Sequence, residues 1–116
     1  MPTQAPGQLI ASRVAVMPDG AVAEVIITEV MRPYAVTCRE VHARWHRDGA
    51  WSPWQLVTEN ASDISVSPDT SQGEPAALIS AVIWTPAPTG STAANYVAHR
   101  SVFFRLTASG PVPADL

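Results

Sequence analysis

The amino-acid sequence predicts an all-β fold, a single antiparallel β-sandwich of about seven strands. Turn-forming residues recur at short, regular intervals along the chain, which is typical of strands rather than helices. The segments between them are rich in β-branched residues or alternate apolar and polar side chains, as half-buried strands do. Apolar residues make up 47% of the 116 residues and charged residues only 15%, which is a composition for one domain with a buried core.

The first two predicted strands form a β-hairpin. Residues 8–17 alternate between two sets of side chains, and residues 21–31 are rich in β-branched residues. Between them, Pro18-Asp19-Gly20 supplies turn chemistry, because proline presets φ and glycine accepts a positive φ. Arg32-Pro33 ends the second strand, since proline cannot donate to a ladder of hydrogen bonds.

The segment Thr37–Asp48 admits two interpretations. As a helix, it would begin with the capping box Thr37-Cys38-Arg39-Glu40 and place Val41 and Trp45 on one stripe. As a strand, it alternates apolar and polar residues, and Asp48-Gly49 after it is a strong hairpin signal. We favour the strand.

The rest of the chain continues the same pattern. Further extended segments are predicted at residues 51–58, 64–67, 76–85 and 96–107, with polar loops at 68–75 and 86–94. The apolar phase of these strands predicts a core that contains Val41, Trp45, Ile83, Phe104 and Leu106.

The predicted sandwich occupies residues 9–108, between two polar ends punctuated by proline and glycine. We expect residues 1–8 to be a flexible N-terminal arm and residues 109–116 to be a C-terminal tail. Segments of this kind can also become ordered against a neighbouring molecule, as an added edge strand does.

The sequence shows no sign of secretion or of a membrane span. Its first residues lack the basic and apolar regions of a signal peptide, and no apolar run approaches the ~20 residues that cross a bilayer. Cys38 is the single cysteine, so no internal disulfide can form, and we expect it to be a small core residue. We expect a cytoplasmic protein, or a virion protein if a phage encodes it.

No catalytic constellation is visible. All seven cationic side chains are arginine, which excludes Walker-type phosphate loops, Schiff-base chemistry and Ser–Lys dyads. The chain has no Gly-x-Ser-x-Gly elbow for a serine nucleophile, and no pair of carboxylates suits glycoside hydrolysis. The sequence predicts a protein that is not an enzyme and has no cofactor.

His42 and His46 are the obvious candidates for a metal site. On a helix they would share a face, but on a strand they lie about 13 Å apart, too far to hold one ion. We therefore predict no metal and a solvated face that carries Glu40, His42, Arg44 and His46. This face would protect a sheet edge or contact an acidic partner surface. With a net charge of −3, nucleic acid and anionic membranes are not expected partners.

Two resemblances centre on the tryptophans. Trp51-Ser52-Pro53-Trp54 resembles the Trp-Ser-x-Trp signature of thrombospondin type 1 repeats, in which tryptophans stack with arginines, but the six-cysteine framework of that family is absent. Residues 44–57 resemble the central hairpin of fibronectin type III and immunoglobulin-like modules. That resemblance implies a β-sandwich with one tryptophan in its core and a charged turn facing water.

Two functions follow as hypotheses. The first is a non-enzymatic structural or interaction subunit of a larger assembly, with itself or other subunits as partners. Because the composition is typical of a GC-rich genome, a phage virion protein of the tail or capsid is the favoured kind. The alternative is a carbohydrate-binding module that uses Trp51 and Trp54 as a stacking platform. The candidate contact residues are Trp51, Trp54, His42, Arg44 and His46.

Overall fold

The computed structural model describes residues 7–32, 36–69, 76–86 and 97–114, and all regular structure within these residues is strand. The all-β prediction is confirmed at this level, but nine strands in two antiparallel sheets replace the expected seven. The strands are β1 (Gln8–Val16), β2 (Val22–Arg32), β3 (Val36–Arg47), β4 (Ala50–Trp51), β5 (Gln55–Glu59), β6 (Ala61–Asp69), β7 (Ala76–Pro86), β8 (Val97–Thr107) and β9 (Gly110–Pro113).

The first sheet, sheet A, has the order β1–β2–β3, and both β4 and β5 pair with the far side of β3. The predicted β1–β2 hairpin is confirmed. Its turn is closed by a hydrogen bond that the Gly20 amide donates to the Met17 carbonyl, 2.9 Å. The Asp19 carboxylate accepts a second bond from the Ala21 amide, 3.0 Å, and Gly20 has a φ of +90°, so each residue type of the turn has a role.

The strand interpretation of Thr37–Asp48 is confirmed, because β3 pairs with β2 from Val36 to His46. Asp48 and Gly49 both have positive φ, 52° and 79°, as a two-residue hairpin turn requires. The next predicted segment, 51–58, is two strands rather than one. Ser52 separates them because its hydroxyl accepts the hydrogen bond of the Trp45 amide, 2.9 Å, and Pro53 has no amide to continue the ladder.

The second sheet, sheet B, has the order β6–β7–β8–β9. Its first strand is longer than predicted, because Pro68 belongs to β6, an edge strand, where a missing amide is tolerated. Part of the predicted tail also belongs to this sheet: residues 110–113 form β9 on β8. The reason is a two-residue turn in which the Thr107 hydroxyl donates to the Gly110 carbonyl, 2.9 Å, and accepts from the Ser109 amide, 3.1 Å.

At the other end of the chain, Gln8 pairs with Glu29, so the end of the predicted N-terminal arm belongs to β1. The rest of that arm, residues 1–6, lies outside the described residues. So do residues 33–35 and most of the predicted loops at 68–75 and 86–94. Among the described residues, no helix has the length and apolar character needed to cross a membrane.

The chain passes from sheet A to sheet B at Asn60, a left-handed residue (φ 61°) whose amide donates to the Arg39 carbonyl, 2.7 Å. The two sheets enclose one core with many alanines, which allow their backbones to approach closely. The Trp45 indole joins the sheets because its Nε1 donates to the Thr107 carbonyl, 3.0 Å. Of the predicted core residues, Val41, Trp45, Ile83 and Leu106 are buried, and Phe104 is partly buried against this core.

Candidate functional site

The candidate residues of β3 lie on the face of sheet A that points away from sheet B, hereafter the outer face. Val41 and Trp45 point into the core, so strand alternation turns the residues between them outward. The predicted grouping is therefore correct: the outer face carries Glu40, His42, Arg44 and His46.

Arg44 is the centre of a stack of side chains on this face. Its guanidinium carbon lies 3.9 Å from the centre of the Trp51 ring and 4.2 Å from that of Trp54. Its Nε donates to Glu24 Oε1 at 2.8 Å, from the neighbouring strand β2. His46 adds a tilted ring contact, 4.8 Å from Trp51. Arg44 is thus held by an ion pair and two cation–π contacts, and only 11% of its side chain is exposed.

The stack bears on the interpretation of the tryptophans as a sugar platform, because Trp51 and Trp54 both contact Arg44. A sugar platform needs ring faces that are free. Arg44 covers one face of each ring. Trp51 is 42% exposed, and a sugar could contact only this exposed part of the ring.

His42 is buried, with 8% of its surface exposed, so the prediction of a solvated side chain is wrong for this residue. The physical reason is the position of β3, which is flanked by β2 and β5 and is not a sheet edge; Ile26 and Leu56 are the cross-strand neighbours of His42. The predicted role of this face in protecting an edge is wrong for the same reason. Burial lowers the pKa of His42 below its ordinary value of 6.5, and Glu40 opposes this only in part, so the imidazole is neutral at pH 7.

A second group on the outer face was not predicted. Ligand atoms of Cys38, Glu40 and Glu59 all lie within 4.8 Å of one another. Cys38 and Glu40 are alternate residues of β3, and Glu59 of β5 pairs directly with Glu40. Cys38 is half-buried on this face, so its prediction as a core residue is wrong. The signal that could have revealed the group is the alternation Cys38-x-Glu40-x-His42, which places three donor side chains on one face of a strand.

Several buried polar atoms of the outer face have no hydrogen-bond partner among the described residues. They are Thr28 Oγ1, His42 Nδ1, Arg44 Nη1 and Trp54 Nε1. Buried polar groups are nearly always paired, and an unpaired one costs about 1–3 kcal/mol.

Strand β1 is the free edge of sheet A. It pairs with β2 on one side, and its other side has no partner strand among the described residues. Leu9, Val14 and Val16 of this strand are 54%, 56% and 64% exposed, and Arg13 is its single charged residue. The register places these three apolar side chains on the outer face, opposite Thr28, Glu24 and Val22 of β2.

The other edges of the two sheets are less open to pairing. β9 is four residues long and contains Pro111 and Pro113, and β6 contains Pro68 and two aspartates. β4 and β5 have two and five residues. Short strands, prolines and charges are the devices by which proteins prevent edge-to-edge pairing. β1 has none of these devices except Arg13.

Two shallow hollows of the described surface, of about 230 and 260 Å³, lie against the β3–β4 hairpin. Small-molecule sites are typically about 300–1,000 Å³ and enclose most of the ligand. Comparison of the chain with protein-family models, with curated proteins and with solved structures found no match.

Proposed function

We propose that the protein is a non-enzymatic structural subunit that assembles with further copies of itself through strand β1. The observation that carries the proposal is the edge strand β1, nine residues without proline and with four exposed apolar side chains, Leu9, Ile10, Val14 and Val16. A strand of this kind presents a row of free amides and carbonyls to another strand. Pairing about a twofold axis lets each copy cover the other's open edge.

The expected strength of this contact is low for two isolated copies. Fully burying a valine or leucine side chain contributes about 1.5–3 kcal/mol, whereas association costs about 4–15 kcal/mol in lost freedom. Leu9, Val14 and Val16 are each more than half exposed. Burying them in a contact would therefore compensate for only part of the free energy that association costs. A pairing of this strength suits a subunit whose β1 contact is reinforced by contacts with other subunits of the same assembly.

The proposed setting is a phage virion, as a tail or capsid-associated protein. The support for this step is compositional: all cationic side chains are arginine, and alanine, valine and proline are abundant. It is an analogy with small β-sandwich virion components. The self-assembly proposal stands on β1 and does not depend on it.

Sedimentation over a range of protein concentrations tests the assembly. The wild-type chain should associate reversibly at high concentration. Val14→Lys should weaken this association about tenfold or more, because it places a charge in the apolar edge. Val112→Lys is the matched control, since Val112 is an exposed valine on β9, the edge of the other sheet. A wild-type chain that stays monomeric, or equal effects of the two substitutions, would overturn the proposal.

The carbohydrate-binding alternative rests on the exposed part of Trp51. A glycan screen with the wild-type chain and with Trp51→Ala separates the two functions. Saturable sugar binding that Trp51→Ala abolishes would support the alternative. A chain that associates through β1 and binds no glycan supports the structural subunit.

A further inference from the structure

We propose that a second copy of this chain docks face to face on the outer face of sheet A. The contact uses the end of this face beside the two hairpin turns. There Val16, Val22, His46 and Trp51 form a line, hereafter the outer row, and Val14 lies next to it. The proposal rests on the self-assembly proposed above and adds the second contact that the weak pairing of β1 requires.

The strand register builds the outer row. Val16 of β1 pairs with Val22 of β2, Val22 pairs with His46 of β3, and His46 pairs with Trp51 of β4. Paired residues of a sheet point to the same face, so these side chains form one line across the outer face. Val16 and Trp51 at its ends are 64% and 42% exposed, and the two residues between them are partly exposed. The line is therefore accessible to a partner along its whole length.

Charged groups beside the outer row are already paired within the chain. Val14 is followed across the sheet by Glu24 and Arg44, whose side chains lie 2.8 Å apart and are only 20% and 11% exposed. At the turns, Asp19 pairs with Arg47 at 3.2 Å. A copy that docks here covers ion pairs rather than unpaired charges from these residues, and it is the unpaired charge that is costly to bury.

The outer row is self-complementary. A twofold axis parallel to the strands, midway between Val22 and His46, exchanges the ends of the row. Val16 of one copy then lies over Trp51 of the other, and the reverse. An aromatic ring against a β-branched side chain is a favourable contact, and sheets commonly pack face to face with aligned strands. Both halves of the contact come from the same row, as in an isologous interface, which selects a second copy as the occupant.

The face contact and the pairing of β1 can coexist on one copy. The outer row uses side chains that point away from sheet B, whereas β1 pairs through backbone groups at its edge. The row and Val14 expose on the order of a few hundred Å², whereas a standard interface buries about 800 Å² per partner. The face contact is therefore an addition to the β1 contact. Two different isologous contacts on one chain link copies beyond a dimer.

Quenching of tryptophan fluorescence by acrylamide, at low and high protein concentration, tests the face contact. Trp51 lies on β4, on the far side of sheet A from β1, so pairing through β1 alone leaves it exposed. The face contact covers Trp51, and its quenching should fall as copies associate. The part of the quenching that is absent from Trp51→Phe identifies the signal of Trp51.

Val22→Lys tests the contact without altering the edge, because Val22 lies on β2, inside sheet A, at the centre of the row. It should weaken association about tenfold or more and remove the protection of Trp51. Val82→Lys is the matched control. Val82 is also a partly exposed valine on an interior strand, β7, and it faces away from the core because Ala81 and Ile83 point into it. Circular dichroism verifies the fold of both variants.

The outcomes separate the two contacts. Quenching of Trp51 that stays constant while the chain associates would overturn the face contact, as would equal effects of Val22→Lys and Val82→Lys. Amide exchange that slows in β1 in that case would leave the pairing of β1 supported. Protection of Trp51 with unchanged exchange in β1 would support the face contact and overturn the pairing of β1. A chain that stays monomeric would overturn both.

Discussion

The open edges of the two sheets differ in how they meet another strand. β1 of sheet A and β9 of sheet B both carry an exposed valine, Val14 and Val112, at 56% and 43%. β9 alternates its residues with Pro111 and Pro113, which have no amide to donate, whereas β1 keeps all its amides over nine residues. The two edges are therefore not distinguished by exposed apolar surface alone. They differ in the number of backbone amides that can donate to another strand.

The outer faces of the two sheets show a second contrast. Each has a close ion pair between two of its strands: Arg44–Glu24 at 2.8 Å joins the neighbouring strands β3 and β2 of sheet A, and Arg105–Asp69 at 2.9 Å joins β8 and β6 of sheet B, across β7. Arg44 is also stacked between two tryptophans, whereas no ring of the described residues covers Arg105. The two ion pairs thus have similar distances but different surroundings. Matched substitutions of Arg44 and Arg105 can therefore show what the tryptophans contribute.

The largest predicted effect tests whether sheet A and sheet B share one core and unfold together. Trp45→Ala should lower the free energy of unfolding by about 3–5 kcal/mol, because it leaves a large cavity between the sheets. It also removes the hydrogen bond to Thr107 of sheet B. Urea unfolding, followed by circular dichroism, measures the loss. Trp45→Phe, which keeps most of the ring volume, should cost less. An unchanged transition in Trp45→Ala would show that the sheets do not share this core.

The second prediction compares the two ion pairs. Arg44→Lys should lower the free energy of unfolding by about 1–2 kcal/mol, because an ammonium group cannot stack as a plane between Trp51 and Trp54. Arg105→Lys keeps a charge beside Asp69 and should cost less than about 1 kcal/mol. Equal losses, measured by urea unfolding, would mean that the tryptophans contribute nothing specific to the Arg44 environment.

The third prediction concerns the prolines of β9, which limit its pairing with another strand. Replacing both Pro111 and Pro113 with threonine restores amides to β9 and should increase self-association several-fold, equivalent to less than about 1.4 kcal/mol. Sedimentation at matched concentrations measures the change, and Pro53→Thr, outside the edge strands, is the control. If the double substitution leaves association unchanged, the prolines are not what separates β9 from β1.

The smallest predicted effect concerns the pH dependence of stability. Because burial lowers the pKa of His42, the unfolded chain takes up a proton more readily than the folded chain. The contribution of His42 is therefore fully present above the ordinary histidine pKa of 6.5 and is lost as the pH falls from there toward the lower folded pKa. Urea unfolding between neutral and mildly acidic pH should show this loss, and His42→Gln should reduce it. An identical pH dependence in both chains would contradict the burial of His42.

Local patterns predicted much of the fold. Alternation and turn chemistry around Pro18-Asp19-Gly20 and Asp48-Gly49 were enough for the β1–β2 hairpin and for β3, because these contacts join neighbouring segments. β9 was missed because Pro111 and Pro113 argue against a strand. Its pairing depends on the Thr107 turn and on β8, and the sequence pattern does not show that partnership.

The candidate site was predicted only in part. Alternation placed His42 and Arg44 on one face, but their burial depends on β5 and on the tryptophans, which reach β3 through long-range pairing. Glu59 was missed for the same reason, since only the pairing of β5 with β3 brings it beside Glu40.

Amide hydrogen exchange at low and high protein concentration tests the central claim, that β1 is the assembling edge, most directly. If copies pair through this strand, amides of residues 8–16 should become more protected as the concentration rises, while those of residues 110–113 stay unchanged. Val14→Lys should remove the added protection without altering the exchange of the core strands. Exchange of β1 that is independent of concentration while the protein associates would contradict the claim, because assembly would then use another surface.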